Sequence, residues 1–472
     1  MSKFSSDKFL FLMVFLFLIR LSQSNNHTYK IPFGLYLPYK DCCKYKKDNL
    51  IKNIFVNYLY VNLSIGTPPQ ILPFHLDINS QTFYVSHNFF NRTASSTYEL
   101  ISQNETKYSY ENAISGYNSR DFLNINGVKK KINFIFETKH NKDNDIGCIG
   151  LLIPTKIQKD VYSFSSSLIK AKLINSFIWT LKFNKDIDYL DFLLKKKEND
   201  IIGELIIGNF PHNYEEDKEI YNEAEYYETK ALWTENQLNW DIHFDSIYIK
   251  LKDEQKKLNK DISQVNIPDD RDVVLNPDIA YILGPTHFFH FINRFFFYKF
   301  RNICSSNRIE GTLFRVIQCQ NNDLFNISSF PDIYFELGDI IFNLTYKDVF
   351  ILDKKFNQYN FLILQEGYIG NWNLGRIFLR KYQFIFNEQN KTVGYYKSMN
   401  VITKEDKWKI YKNKIIGFIV SFFQIIFIIG IILFVIYEIY TNFIVKKRKK
   451  RINELDDNLN NSDLLEDKKD IN

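Results

Sequence analysis

Short stretches rich in β-branched and aromatic residues, separated by turn-forming residues, extend from Asn57 to Met399. Such stretches are typical of β-strands, and helical periodicities are few in this part of the chain. The clearest examples are Tyr58–Ile65, Ile132–Phe136, Glu204–Gly208, Ile242–Ile249, Asp332–Leu337 and Tyr382–Phe386. His287–Arg301 has apolar residues over most of a helical face and is the best helix candidate. The pattern therefore predicts a mostly β globular fold.

Composition supports a large folded core and argues against a nucleic-acid partner. Aromatic residues make up 17% of the 472 residues, and charged residues make up 24%. The net charge is +6, and the six basic residues of Lys446–Arg451 account for all of it. The rest of the chain is therefore neutral and lacks the basic excess that nucleic-acid binding requires.

Two apolar segments predict a single-pass membrane protein. Phe9–Ile19 is too short to span a bilayer and is typical of a signal peptide, here residues 1–24. Ile415–Tyr437 is uncharged and long enough to span, and Lys446–Arg451 follows it as a cytoplasmic flank. We expect a stalk at 401–414, a transmembrane helix at 415–437 and a cytoplasmic tail at 438–472. This type I orientation places the β region in the secretory lumen or outside the cell.

The lumenal region carries seven sequons, and we expect six of them to be glycosylation candidates. These six lie at Asn26, Asn91, Asn104, Asn326, Asn343 and Asn390, whereas the seventh, Asn62, would lie inside a strand. Each asparagine is followed two residues later by serine or threonine, which is the acceptor pattern for N-linked sugars in secreted proteins.

Segments spread over the whole β region resemble the motifs of the pepsin-like aspartic proteases. In chain order, the segments that carry the resemblance are Tyr60–Gln70 (YVNLSIGTPPQ), His75–Val85 (HLDINSQTFYV), Gly147–Leu151 (GCIGL), Gly203–Gly208 (GELIIG), Val273–Pro285 (VVLNPDIAYILGP) and Trp372–Arg380 (WNLGRIFLR). The resemblance implies a bilobal fold with an N-lobe at 57–225 and a C-lobe at 226–400. Residues 25–56 precede the lobes as a segment that could be the remnant of a prosegment. A disulfide between Cys304 and Cys319 is implied in the second lobe.

The resemblance also implies a catalytic centre, but one that departs from the family's pattern. The family holds two aspartates close together so that they share one proton and activate water. Asp77 matches the first aspartate, whereas Asn276 occupies the position of the second. An amide cannot take a proton from water near neutral pH. Asp278 is a less favoured substitute, because we expect it to need a slip of the loop and Pro277 restricts the backbone there.

Three further residues are expected beside this centre. Tyr110 matches the tyrosine of the family's flap, Tyr84 stands where the family usually has tryptophan, and Ser80 follows the first motif in the cleft. Arg376 replaces the acidic residue usual after the Leu-Gly of the last motif, and its partner is left open. No metal-ligand cluster or cofactor motif is evident, so neither a metal nor a cofactor is predicted.

The missing second aspartate favours an inactive pseudoprotease. We expect a membrane-anchored member of the family that binds a peptide or protein in the cleft between the lobes. One alternative is an active endopeptidase that processes proteins in the secretory pathway, which requires another carboxylate near Asp77. A second alternative is a surface adhesin or sorting receptor that uses the fold only as a scaffold. The sequence leaves the oligomeric state undetermined.

Overall fold

The computed structural model divides the chain into two compact units, Met1–Met399 and Asn400–Asn472. The described residues are 28–36, 50–102, 106–108, 114–139, 146–153, 163–187, 201–213, 221–234, 237–238, 240–253, 263–268, 271–366, 371–397 and helical positions between 424 and 453. Within them, no helix combines the length and the apolar character needed to cross a membrane. The signal peptide predicted at 1–24 and most of the span predicted at 415–437 lie outside the described residues.

The first half of the larger unit is mostly strand, as the sequence pattern predicts. Its strands are β1 (Tyr29–Tyr36), β2 (Tyr58–Ile65), β3 (Gln70–Asp77), β4 (Phe83–Val85), β5 (Glu99–Leu100), β6 (Thr106–Tyr108), β7 (Ile114–Ile125), β8 (Val128–Lys139), β9 (Gly147–Gly150), β10 (Ile178–Phe183) and β11 (Ile201–Ile207). Its helices are α1 (Leu50–Val56) and α2 (Phe164–Lys170).

The second half repeats this preference for strands. They are β12 (Tyr226–Lys230), β13 (Trp233–Thr234), β14 (Gln237–Leu238), β15 (Asp241–His243), β16 (Ser246–Lys250), β17 (Gln264–Asn266), β18 (Asp272–Leu275), β19 (Ile282–Gly284), β20 (Cys304–Arg308), β21 (Phe314–Gln320), β22 (Asp332–Leu337), β23 (Ile340–Leu344), β24 (Phe350–Asp353), β25 (Gln358–Glu366), β26 (Trp372–Leu374), β27 (Ile385–Asn387) and β28 (Thr392–Tyr396). The helices are α3 (Thr286–Phe295), α4 (Tyr346–Val349) and α5 (Arg376–Lys381).

One 14-stranded sheet joins the two halves, in the order β12-β28-β27-β10-β11-β1-β2-β3-β9-β4-β8-β7-β5, with β6 paired to β7. The strand β1 is interior, because it pairs with β11 on one side and with β2 on the other. Its side chains Tyr29, Ile31, Phe33 and Leu35 are buried in the core. The predicted prosegment remnant at 25–56 thus contributes a central strand to the fold.

Besides the two-stranded pair β13-β14, the second half has two sheets of its own, and the first of these holds its part of the site. One has the order β15-β18-β26-β19-β25-β21-β20 with β24 on β25, and the other has the order β17-β16-β22-β23. In each half a parallel neighbour supports the strand that leads into a motif loop: β9 lies beside β3, and β26 lies beside β18. Pairing of Asp77 with Gly150 and of Leu275 with Leu374 therefore fixes where each loop begins.

Gly150 ends the supporting strand β9, and Gly375 directly follows the supporting strand β26. The backbone of a motif loop packs directly on each of these glycines. A Cβ atom on Gly150 would lie 2.5 Å from the backbone oxygen of Ser80, and one on Gly375 would lie 1.9 Å from that of Tyr281. Both distances are shorter than any real contact of a side chain. The two glycines of the quoted motifs are thus required by close backbone packing.

Most of the predicted elements are found, and the differences occur at turns. Tyr58–Ile65 and Asp332–Leu337 match β2 and β22. The stretch Ile242–Ile249 is two strands, β15 and β16, separated at residues 244–245. The predicted helix over His287–Arg301 is α3 followed by a short 3-10 helix, because the backbone at Phe296 leaves the helical range with φ −128°.

The implied disulfide is confirmed. Cys304 and Cys319 are bonded across the neighbouring strands β20 and β21. Cys148 in β9 is a buried free cysteine.

Candidate active site

The first motif loop begins where β3 ends, at Asp77. Its Oδ1 accepts a hydrogen bond from the backbone N–H of Asn79 at 2.8 Å, and its backbone oxygen accepts one from Leu151 at 2.7 Å. Between them, the side chain of Ile78 is buried in the core. The alternation of a strand thus continues to Asp77, whose half-buried carboxyl group projects towards the second loop.

The second motif loop closes in the same way. Asn276 follows β18, and its backbone N–H donates to the oxygen of Leu374 at 3.0 Å. Its Oδ1 accepts a hydrogen bond from the backbone N–H of Asp278 at 2.9 Å. Asp77 and Asn276 therefore share one pattern: the side-chain oxygen accepts a hydrogen bond from the backbone N–H of the residue two positions later. The loop keeps this geometry without any slip.

Asp278 nevertheless reaches across to the first loop. Its Oδ1 lies 3.2 Å from Nε2 of His75, and its Oδ2 accepts from Nδ2 of Asn79 at 3.4 Å. Its carboxyl group lies close enough to that of Asp77 to raise the pKa of Asp77. We expected Asp278 to replace Asn276 only through a slip of the loop. The loop has not slipped, and the Asp278 side chain approaches Asp77 from its own position two residues after Asn276. Two carboxyl groups meet at this site.

The electrostatics of Asp77 follow from this contact. The pKa of its carboxyl group is raised to about 6, chiefly by burial and then by the neighbouring charge of Asp278. The charge of His75 and the hydrogen bond from Asn79 act in the opposite direction. Two carboxylates in contact repel each other, so one proton is retained between them well above the usual range for an aspartate.

His75 is a site residue that the sequence analysis did not identify. Its ring lies 4.3 Å from the ring of Tyr58, between centroids, and its Nε2 faces Asp278. Burial lowers the pKa of His75, but the charge and hydrogen bond of Asp278 and the charge of Asp77 outweigh burial, and the pKa is raised. The signal in the sequence was its position two residues before Asp77, since alternate residues of a strand share a face.

Arg376 lies beneath the site and finds its partner in the N-terminal segment. Its side chain is buried, and Nη2 donates to the backbone oxygen of Asn57 at 3.1 Å and to the Asn57 side-chain oxygen. Its Nη1 has no hydrogen-bond partner among the described residues. Burial lowers the pKa of Arg376 to about 9, and the charge of Asp278 opposes this effect. A guanidinium is therefore part of the charge balance around Asp278.

A stack of aromatic rings adds a second contact between the N-terminal segment and the second loop. Phe55 at the end of α1 stacks on Tyr281, with ring centroids 5.2 Å apart and an interplanar angle of 4°. Together with Asn57, this ring contact makes residues 55–57 part of the support of the second loop.

Three predicted site residues remain, of which Tyr84 and Ser80 are described by the structure and Tyr110 is not. Tyr84 is buried, and burial followed by the charges of Cys148 and Glu137 raises the pKa of its phenol well above the usual value. The hydroxyl of Ser80 accepts from the backbone N–H of Thr82 at 3.1 Å. Tyr110 lies outside the described residues. Tyr84 and Ser80 thus support the first loop, and the predicted flap residue stays a prediction.

The six sequons fall into three groups. Exposed asparagines are found at Asn91, Asn326 and Asn390. Asn343 is half-buried, and its side-chain oxygen accepts from the hydroxyl of Tyr382 at 2.8 Å. Asn26 and Asn104 lie outside the described residues. Glycosylation stays a prediction, with Asn343 the least accessible of the described sites.

The described residues contain no group of three or more His, Cys, Asp and Glu side chains arranged to hold a metal ion. What they bring together is a pair of carboxyl groups, an imidazole and a buried guanidinium. Such a set can bind water or a polar ligand and can move a proton.

Comparisons with known proteins agree with this geometry. Residues 58–397 match the family model described as "Eukaryotic aspartyl protease". Cathepsin D of Mus musculus is 22% identical over 385 residues, which cover 73% of this chain and 82% of that protein. The "Probable aspartic-type endopeptidase OPSB" of Arthroderma benhamiae is 27% identical over 113 residues, which cover 20% of this chain and 22% of that protein. A protein of the same name from Trichophyton verrucosum is equally similar. Because the family model covers more than half of it, the chain belongs to the eukaryotic aspartyl protease family.

Proposed function

We propose that this protein is an aspartic-type endopeptidase in which Asp77 and Asp278 form the carboxylate pair. The observation that carries the proposal is the contact of the Asp278 carboxyl group with His75 and Asn79, the residues two positions before and after Asp77, at 3.2 and 3.4 Å. A pair of this kind holds one proton, which lets one group act as acid while the other acts as base. The sequence favoured an inactive protein because Asn276 cannot titrate, and Asp278 supplies the carboxylate that the active alternative required.

The arrangement assigns a role to each side chain. Below pH 6 Asp77 carries a proton, since its pKa is raised to about 6. In the proposed reaction, Asp278 accepts a proton from a water molecule as the water oxygen attacks the peptide carbonyl carbon. Asp77 donates its proton to the carbonyl oxygen. The tetrahedral intermediate then breaks its C–N bond as Asp278 gives its proton to the nitrogen and Asp77 takes a proton back from a hydroxyl of the intermediate.

Asn276 keeps a structural role in this proposal. Its side-chain oxygen accepts the backbone N–H of Asp278, and its own N–H is bonded to Leu374. These two contacts fix the backbone from which the Asp278 carboxyl group projects. An uncharged amide satisfies them as well as a carboxylate would.

The proposed setting is the secretory pathway. The substrate is a peptide or an extended protein segment lying across the two motif loops. The apolar segments at 1–24 and 415–437 support a type I protein anchored by one helix, with this site on the lumenal or extracellular side. The names of the relatives, cathepsin D and an aspartic-type endopeptidase, support the class of reaction.

Incubation of the purified protein with a diverse peptide library between pH 4 and 7 tests the proposal. We expect cleavage products from the wild type and none from Asp77→Ala. Asp272→Asn is the matched control, because Asp272 is an exposed aspartate that pairs with His243 away from the site. It should cleave like the wild type. Absence of cleavage by a folded wild type would refute the proposal.

A pseudoprotease that binds peptides without cleaving them is the second candidate. The observation that favours it is the position of Asn276, which fills the second loop where the family has its acid, while both oxygens of Asp278 already accept hydrogen bonds. Under this candidate the wild type binds library peptides without products, and Asn276→Asp gains hydrolysis. Under the leading proposal the wild type is already active, and hydrolysis depends on Asp278.

A further inference from the structure

We propose that His75 is a positioning residue that holds the Asp278 carboxylate against Asp77. This inference rests on the proposed function, because it assigns a role within the same site. Neither Ile78 nor Pro277, which follow Asp77 and Asn276, has a hydroxyl group that could bridge the two motif loops. Two side chains close to Asp77, His75 in β3 and Asn79 in the first loop, make contacts with Asp278 in the second loop.

The two oxygens of Asp278 have separate donors. His75 contacts Oδ1 at 3.2 Å, and Asn79 donates to Oδ2 at 3.4 Å. His75 and Asp278 are 18% and 14% exposed, so solvent competes little for this contact. A carboxylate held at both oxygens cannot rotate freely, and its orientation towards Asp77 is thereby fixed.

The imidazole is itself held in place. Its ring packs against Tyr58, and His75 pairs with Tyr60 across β2 and with Cys148 across β9. These neighbours restrict the ring so that Nε2 points to the second loop. A residue whose own orientation is fixed by packing can fix that of its partner.

The charges around His75 determine when the contact is an ion pair. Asp278 and Asp77 favour its protonated form, whereas burial and Arg376 oppose it. The other titratable groups beside it are Tyr58, Tyr60 and Cys148. Because the pKa of His75 is raised, the ion pair is complete at acid pH and is lost as the pH rises through that value. We therefore expect the alkaline limb of the activity profile to depend on His75.

The chain contains a matched pair for comparison. His243 and Asp272 lie 2.6 Å apart but are 48% and 52% exposed. The residue types are the same as in the His75–Asp278 pair, although the histidine makes the contact through Nδ1 and not Nε2, and solvent surrounds the pair. Substitutions in this surface pair therefore control for the loss of a histidine as such.

An NMR titration of the histidine-labelled full chain in detergent tests the pairing without any substrate. His75→Gln identifies the His75 signal by its loss. We expect Asp278→Asn to lower the pKa of His75 by about 1 or more, since it removes an opposing charge in contact. Asp272→Asn should leave the His75 signal unchanged. An unchanged His75 titration in Asp278→Asn overturns the pairing, whatever the activity of the protein.

Kinetics test the positioning role. His75→Gln keeps a donor without the charge, and His75→Leu removes both. We expect kcat to fall about tenfold in the first and about 100-fold or more in the second, with KM changed little, as general acid–base geometry contributes on this order. His243→Gln should match the wild type.

The outcomes of these two tests are distinguishable. A His75→Leu variant as active as the wild type, with an unmoved alkaline limb, overturns the positioning role. A wild type that cleaves nothing refutes the proposed function, while a shifted His75 titration still supports the contact with Asp278.

Discussion

Replacing Asp77 by asparagine should stabilise the protein above pH 6, although it removes a group assigned to catalysis. The pKa of Asp77 is about 6, compared with the usual 3.8. The folded state therefore binds this proton more tightly than the unfolded chain, and stability falls as the pH rises from 3.8 towards 6. The difference of about 2.2 corresponds to about 3 kcal/mol. Solvent screening of the half-buried group lowers this to about 1–2 kcal/mol.

The amide can keep the contacts of the carboxyl group. Its oxygen can accept the N–H of Asn79, and its NH₂ can donate to Asp278 in place of the shared proton. The substitution therefore removes only the unfavourable ionisation. At pH 4, where Asp77 is protonated in the folded state, the two proteins should differ little in the free energy of unfolding.

Denaturant unfolding at pH 4 and pH 7.5 measures this difference, with the fluorescence of buried tryptophans such as Trp179 and Trp372 as the signal. Asp272→Asn, at an exposed aspartate, should change the free energy of unfolding by less than about 0.5 kcal/mol at either pH. An Asp77→Asn protein that is less stable than the wild type at pH 7.5 would refute the reasoning, because it would mean that ionised Asp77 is favourably held.

Three further substitutions test the support of the site. Asn57→Ala removes the side-chain oxygen that accepts a hydrogen bond from buried Arg376 but keeps the backbone acceptor, and it should lower stability by about 2–3 kcal/mol in denaturant unfolding. Gly375→Ala places a methyl group against loop backbone and should lower both stability and peptide hydrolysis. Replacing Cys304 and Cys319 by alanine opens a loop of sequence separation 15 and should lower the free energy of unfolding by about 3 kcal/mol.

The fold was predictable because the residue patterns that indicate it are local and follow one another along the chain in the order of the family's motifs. Strands such as Tyr58–Ile65 show their limits in alternation and turn residues, and the structure has them at the same bounds. The glycines of the motifs are local signals too, since each marks a close backbone approach. The helix after residue 286 ended earlier than its apolar pattern suggested, because Phe296 packs in the aromatic core with a non-helical backbone.

The site was only half predictable because its contacts join distant parts of the chain. Asp278 and His75 are separated by 203 residues, and nothing in either loop alone indicates that they meet. Asn276 occupies the position of the family's second acid, whereas the carboxylate that reaches the first loop belongs to Asp278, two residues later. Arg376 stood out by its charge, but its partner Asn57 is 319 residues away. Long-range pairing of this kind is a property of the fold.

The comparison of wild type with Asp278→Asn in peptide hydrolysis at pH 5 tests the central claim most directly. The claim is that Asp278 is the second carboxylate of an acid–base pair with Asp77. The amide is isosteric and can keep the contact to Asp77, but it cannot accept a proton from water. We predict that kcat/KM falls by at least about 1000-fold. A variant that cleaves the same peptide within about fivefold of the wild-type rate would contradict the claim, because an acid–base partner contributes far more than that.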